Sequence, residues 1–184
     1  MEYSLRTPVS ASDLAPLQAG DRVLLSGVVY TARDQAHVRL CEAIDRGEAL
    51  PFPLEGSAIY YVGPTPEKPG ECIGSAGPTT SGRMDAFSPR LLDLGNKIMI
   101  GKGKRSSAVK DAVVRSGAVY LAAIGGAGAL MAGCVRKAEV IAWPDLGCEA
   151  VRKLTVENLP LTVVLDSVGG DLYESGPAAY LRSL

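Results

Sequence analysis

The spacing of apolar and polar positions changes several times along the chain. Arg22 to Tyr30 carries Val23, Leu24, Leu25, Val28, Val29 and Tyr30, the content of a strand. From Ala32 the period becomes helical. Ala32, Ala36, Leu40, Ala43 and Ile44 form one stripe, Asp34, Arg39, Glu42 and Asp45 point elsewhere, and Gly47 suits the C-terminal cap. Pro51-Phe52-Pro53 interrupts the chain. A short buried-type strand over Ala58 to Val62 follows, then a long Pro- and Gly-rich loop from Gly63 to Pro78, of a length that in compact domains usually serves function. Met84 to Leu94 reads as a helix ended by Gly95, and Lys97 to Ile100 as a strand. Ser106 is placed to cap a helix through Arg115, with Ala108, Val109, Ala112 and Val113 inward and Gly117 at its end. Strands are expected over Ala118 to Ile124, Ala138 to Trp143, Val151 to Val156 and Leu161 to Asp166, with a turn at Gly169-Gly170. Residues 1–20 read as a lead-in segment. The alternation of strands and helices through the middle predicts an α/β fold with substantial parallel pairing, and the C-terminal third is expected to be strand-rich without long helices.

The 184 residues predict a single domain over 1–184, large enough to bury a core. A net charge of −1 gives no basic footprint, so nucleic acid is not an expected partner. No apolar run reaches the ~18–20 residues needed to span a bilayer, and Ala118 to Cys134, the longest mild stretch, is interrupted by four glycines. The N-terminal residues lack the apolar core of a secretory signal, which makes a cytoplasmic location the expectation. Cys41, Cys72, Cys134 and Cys148 form no C-x-x-C pair; the expectation is small buried hydrophobes and no metal ligands in this chain.

The richest chemistry lies in Gly77-Pro78-Thr79-Thr80-Ser81-Gly82-Arg83-Met84-Asp85. Glycine lets backbone N–H groups approach a ligand, and proline sets the turn. Hydroxyls and a guanidinium can then grip a carboxylate, arginine through two parallel N–H groups. An ordinary solvated loop has the same composition, and spacing alone leaves both readings open. Two nucleotide readings fail. Gly95 to Lys102 is one residue too long for a P-loop, with Gly103 where Ser or Thr belongs; Gly126-Ala127-Gly128 has Met131 where a dinucleotide turn needs its third glycine. The latter glycines are better explained by close backbone packing against the loops of the site. Lys102, flanked by Gly101 and Gly103, is either a solvated lysine or an anion-binding one. Arg33 and His37, four apart, share a face near the start of their helix, where like charge would lower the imidazole pKa. His37, the only histidine, reads first as a structural or helix-surface residue.

The same segments carry a resemblance. The loop from Gly77 to Asp85, Thr31-Ala32-Arg33-Asp34 with His37, Ile59-Tyr60-Tyr61-Val62-Gly63-Pro64, Met99-Ile100-Gly101-Lys102-Gly103 and Gly125-Gly126-Ala127-Gly128-Ala129 occur in order from about Leu14 to about Tyr173. Together they resemble the beta-type domain of iron–sulfur-dependent hydro-lyases, the class I fumarase and tartrate dehydratase group. The resemblance implies a swivelling β/β/α-type domain with a mixed, partly parallel sheet. It implies a hetero-oligomer in which a separate alpha subunit holds a four-iron four-sulfur cluster through three cysteines, and no cofactor bound by this chain. The reaction would be reversible addition of water across a dicarboxylate double bond. By motif, Arg33, Arg83 and Lys102 would bind the substrate carboxylates. Thr79 would lie near the reacting carbons and take part in proton transfer. Thr80, Gly82 and Asp85 would shape the loop, with Thr80 also touching substrate and Asp85 and His37 as further candidates. Ser81-Gly82-Arg83-Met84-Asp85 is more fumarase-like. The alternatives are a tartrate dehydratase beta subunit and a non-catalytic carboxylate-binding or interaction module.

Overall fold

One long C-terminal strand closes the sheet of this protein on itself in the computed structural model, which describes residues 1–182. The elements run β1 (Glu2–Arg6), α1 (Ala11–Leu14), β2 (Arg22–Thr31), α2 (Asp34–Asp45), β3 (Ala58–Tyr60), α3 (Ser88–Asp93), β4 (Ile98–Gly101), α4 (Ser107–Ser116), β5 (Val119–Ala122), α5 (Gly128–Gly133), β6 (Val135–Ala142), β7 (Val151–Leu165) and α6 (Leu172–Arg182), with 3-10 turns at Ser81–Met84 and Pro144–Glu149. Strands β1 to β5 pair parallel in sequence order. β7 then pairs antiparallel with β2, β5 and β6. Because β7 touches both β2 and β5, the strands β2, β3, β4, β5 and β7 complete a small barrel-like ring, with β1 and β6 as additions. Closure removes the free edges that an open sheet would leave.

The two-residue period of the strands separates two cores. Val23, Leu25 and Val29 of β2, Tyr60 of β3, Ile98 and Ile100 of β4, Val119 and Leu121 of β5, and Leu154, Leu161 and Val163 of β7 gather in one cluster, the face all five ring strands share. The alternate residues Ile59, Tyr61, Met99 and Tyr120 meet Ala36 and Leu40 of α2, Leu91 and Leu92 of α3, and Val109 and Val113 of α4. Strands buried on both faces carry continuous apolar runs, and this is why Ile98 to Ile100 is apolar at every position.

The expected alternation holds through the middle of the chain, and four expectations are corrected. Residues 1–20 contain β1 and α1 rather than a lead-in alone; β1 is half exposed and its alternation is short. The two expected strands Val151 to Val156 and Leu161 to Asp166 are one strand, β7. The chain passes Pro160 without breaking: Asn158 takes a φ of 51° opposite a register shift in β2, and the Ser26 hydroxyl accepts from the Asn158 N–H at 3.0 Å. The helix expected over Met84 to Leu94 is a 3-10 turn followed by the short α3. The C-terminal third carries two helices, α5 and α6, and α6 tolerates an internal Pro177.

Backbone approach is closest where β4 ends. A Cβ on Gly101 would sit 1.9 Å from the Ser81 hydroxyl and 3.0 Å from the Tyr61 ring, among buried groups that cannot retreat. Gly101→Ala is therefore expected to destabilise the protein by roughly 2–3 kcal/mol. Gly133→Ala, where an added Cβ meets nothing within 4 Å, should be neutral or slightly stabilising. Thermal unfolding of the two variants checks the difference.

Candidate functional site

In open α/β sheets, ligands collect beyond the carboxyl ends of parallel strands. The sequence candidates gather at the same place on this ring. Arg33 follows β2, the loop to Thr79 follows β3, Lys102 follows β4, and the glycines from Gly125 follow β5.

The Gly77–Asp85 loop is stitched back onto those strand ends by its backbone. Pro78 bridges Val62, and Thr80 bridges Lys102. The Thr79 N–H donates to the Tyr61 carbonyl at 2.8 Å, and the Ser81 N–H to the Lys102 carbonyl at 2.9 Å. Ser81 is wholly buried; its Oγ accepts from the Lys102 N–H at 3.0 Å and from the Tyr120 hydroxyl at 2.9 Å. Tyr120 is kept a neutral phenol by burial, which pushes its pKa up. The Gly103 N–H donates to the Tyr173 hydroxyl at 3.0 Å, so α6 also steadies the lysine loop. Beside it, the Ala76 N–H donates to the Gly128 carbonyl at 3.0 Å, and a Cβ on Gly128 would meet Ser75 Oγ at 2.2 Å. Of the glycines after β5, Gly128 thus serves close backbone packing, as the sequence suggested, while an added Cβ on Gly126 would meet nothing within 4 Å. Thr79 is half-buried, and Thr80, Gly82, Arg83 and Lys102 are exposed on the resulting rim.

Cations dominate the rim. The Lys102 side chain lies along Gly125 and has no carboxylate partner among the described residues. Arg83 Nε lies 2.8 Å from Asp34 Oδ1. The Arg33 side chain is only 19% exposed, yet its nearest carboxylates, Asp34 and Glu149, stand 3.8 and 3.6 Å away, beyond hydrogen-bond distance. Arg33 Nε, Asp34 Oδ2 and His37 Nε2 are buried without a hydrogen-bond partner. All three belong to the first turn of α2 and its N-cap. Such orphans are rare in folded proteins, and these three lie together at the start of one helix.

His37 is buried completely, not on the helix surface. Its Nδ1 lies 2.9 Å from the Arg33 carbonyl, which can only accept, so Nδ1 carries the proton and Nε2 is the bare acceptor. The ring meets the edge of Tyr61 with centroids 5.4 Å apart. Burial is the main reason its pKa falls from 6.5 to about 4; the like charge that adds to the fall is Arg105, not Arg33. Asp85 is also engaged within the fold. Its Oδ1 accepts from Arg105 Nε at 2.6 Å and its Oδ2 from the Ser106 N–H at 2.6 Å. Asp85 thereby satisfies the start of α4, where Ser106 makes no side-chain cap of its own. Both of its oxygens are thus engaged in holding the loop to Arg105 and α4.

Sequence reasoning missed Arg105, Ser81, Asp34 and Glu149 as structural members of the site. Arg105 follows a lysine-rich turn and reads as one more surface cation. Glu149 lies far along the chain and accepts from the Gln35 N–H at 2.9 Å. The cysteine expectation is corrected too: Cys72 and Cys148 are exposed, Cys41 and Cys134 half-buried, and all four are free. Among the described residues no three His, Cys, Asp or Glu side chains gather as metal ligands. No helix among them is long and apolar enough to cross a membrane.

The chain is similar to known proteins along most of its length. The family model described as fumarase C-terminus matches residues 1–176. The aerobic class I fumarate hydratase of Salmonella typhimurium is 39% identical over 178 residues, which are 95% of this chain and 31% of that protein. This chain therefore spans under a third of the length of that relative. The putative L(+)-tartrate dehydratase subunit beta of Methanocaldococcus jannaschii is 40% identical over 181 residues, 95% of this chain and 92% of that protein. The L(+)-tartrate dehydratase subunit beta of Escherichia coli is 33% identical, covering 94% of this chain and 87% of its own.

Two outcomes follow from the buried groups. A histidine held neutral in the folded protein but able to charge when unfolded makes the unfolded state bind more protons below pH 6.5. Stability should then fall as pH drops from about 6.5 to about 4, by about 3 kcal/mol from this group, and be unaffected by it above that window. A His37→Phe variant should lose that part of the slope in denaturant titrations between pH 7 and 4. Asp85→Asn should destabilise the protein by roughly 3–5 kcal/mol, because it leaves the Arg105 charge buried and unpaired. Equal stability of Asp85→Asn and the parent would show that the pair is not what holds the loop.

Proposed function

The chain belongs to the fumarase C-terminus family, and on that premise we propose that it is the substrate-holding part of an iron–sulfur hydro-lyase that hydrates fumarate reversibly to malate. The observation that carries this reading is the rim itself. Arg33, Arg83 and Lys102 lie beyond the carboxyl ends of parallel strands; Arg33 Nε is buried without a partner, and Lys102 has no carboxylate partner among the described residues. A dianionic substrate needs such cations, and bidentate guanidinium grips would fix its two carboxylates. In this reading the cluster belongs to a separate alpha subunit, with which residues 1–184 assemble as one beta-type domain of the swivelling β/β/α kind, in the cytoplasm. The described residues of this chain offer no ligand set for the cluster.

The residues of the chain have separable tasks. Arg33, Arg83 and Lys102 bind and orient the carboxylates. When water leaves, negative charge develops on the carbon beside a carboxylate, and fixed cations aimed there lower the barrier. Thr79, anchored through its backbone, brings a hydroxyl next to the reacting carbons for proton transfer; a free hydroxyl is a weak base, so this role requires a lowered pKa in the assembled site. Thr80 lines the same rim, and Asp85 keeps the loop in place. A second reading, a tartrate dehydratase beta subunit, is favoured by one observation: the match to such subunits covers nearly their whole length.

The test is turnover of the chain co-expressed with its cluster-bearing partner, offered fumarate and L(+)-tartrate separately. Arg83→Lys keeps the charge but loses the planar fork. Activity should fall about 10²-fold, equivalent to ~2.7 kcal/mol in the barrier, with assembly and circular dichroism unchanged. Thr79→Ser should be milder than Thr79→Ala. Arg90→Lys, whose guanidinium pairs with Asp45 at 2.6 Å away from the rim, is the control and should be near neutral. If Arg83→Lys and Arg90→Lys behave alike, the loop is an ordinary surface loop and the proposal falls.

A further inference from the structure

Asp34 stands beside both arginines of the rim. It occupies the first turn of α2, directly after Arg33, where the helix dipole favours a negative charge. Its Oδ1 lies 2.8 Å from Arg83 Nε and its Oδ2 3.8 Å from Arg33 Nε. The Asp34 side chain is 22% exposed and that of Arg83 52%, so the carboxylate is the more confined partner. Asp34 Oδ2 is buried without a hydrogen bond, a poor use of a carboxylate if its task were stability. Glu149 differs: it accepts from the Gln35 N–H and so serves the helix start.

The way Asp34 meets the guanidiniums is informative. Its closest approach to each is at Nε, the nitrogen nearest the chain. The outer pair of nitrogens on each arginine, the edge that matches a carboxylate in two parallel bonds, is not its nearest contact. The counter-charge at Nε restrains Arg83 while leaving its outer edge to a ligand; the outer edge of Arg33 has only Glu149 Oε1 near it, 3.6 Å from Nη2 and beyond hydrogen-bond distance. One carboxylate lies against both arginines, in contact with Arg83 Nε and 3.8 Å from Arg33 Nε, where its charge still acts on both.

We propose that Asp34 is a positioning residue that sets the spacing of the Arg33 and Arg83 guanidiniums and thereby makes the site prefer a dicarboxylate to a monocarboxylate. This inference rests on the reading that those arginines hold substrate. Without the shared carboxylate, two mobile cations still attract one anionic group each, but they no longer present two grips at a fixed distance.

The experiment uses the enzyme assembled with its cluster-bearing partner. Asp34→Asn keeps the shape and removes the charge; Asp34→Glu keeps the charge and shifts it by one methylene. For each, kcat and KM for fumarate are measured with inhibition constants for succinate and butyrate, four-carbon acids that differ by one carboxylate. The expected result in both variants is a kcat/KM lowered about 30-fold and a succinate-over-butyrate preference lowered about tenfold, at unchanged melting temperature. A merely structural role would lower the melting temperature and leave the preference as it was. Wild-type preference in the folded variants overturns the inference; if Asp34→Asn does not fold, Asp34→Glu decides it. Arg33→Lys and Arg83→Lys are run alongside. If both retain full kcat/KM, the substrate reading falls and the inference with it; if they lose activity while the Asp34 variants keep the preference, the inference alone falls.

Discussion

The buried guanidinium of Arg105 is the contact on which the arrangement of the rim depends. Its side chain is fully shielded from solvent, and five separate segments meet on it. Nε donates to Asp85 at the end of the Gly77–Asp85 loop, Nη2 donates to Ser88 at the start of α3, and Nη1 lies 3.3 Å from the sulfur of Met99 in β4. The Tyr61 and Tyr120 rings lie 5.4 and 5.0 Å from its centre. A buried charge is tolerated only when its donors are satisfied, so each of these partners must be in place at once. Asp85 passes the constraint on to α4 by accepting the Ser106 N–H. The loop that presents Thr79 and Arg83 is thereby locked to strands and helices it would otherwise only touch.

That dependence explains which parts of the molecule can be read from its sequence. The ring strands are legible because each is buried on both faces and is apolar throughout; Ile98 to Ile100 is the clearest case. α2 and α4 are legible because each buries one stripe and exposes the other. β7 is not, because Pro160 looks like a break, and only the bulge in β2 opposite Asn158 shows how pairing continues. α5 and α6 are hidden by glycine and proline within them. In the rim, Thr79, Arg83 and Lys102 stand out because their types and nearby glycines announce chemistry, and Arg33 through the family resemblance alone. Arg105, Ser81 and Asp34 do not, because their importance lies in partners distant along the chain. The fate of His37 was half legible: its downward pKa shift follows from burial, which a single sequence does not display.

The rim is built mainly from backbone. Thr79, Ser81 and Lys102 are fixed by main-chain hydrogen bonds, and the glycines at 101 and 128 let strands and loops approach more closely than any side chain would permit. A backbone-built frame frees the side chains it carries from structural duty. Thr79 and Arg83 can then be exposed or half-exposed without weakening the core, and the two hydrophobic clusters remain intact beneath them.

Freedom from structural duty has an electrostatic consequence. Arg33, Arg83 and Lys102 share one rim with two carboxylates, Asp34 and Glu149, and neither carboxylate makes a full bidentate pair with an arginine. Full pairing would give the chain a small gain, since partly exposed ion pairs contribute little, and it would remove the donors a ligand needs. Incomplete pairing costs the free chain some desolvation of Arg33, offset by the buried network under the loop. In the proposed reading, an anionic substrate would recover what the incomplete pairing leaves unused. On the same reading, the site would depend on the few contacts that hold its cations apart, and a residue such as Asp34 would control ligand choice without touching the ligand.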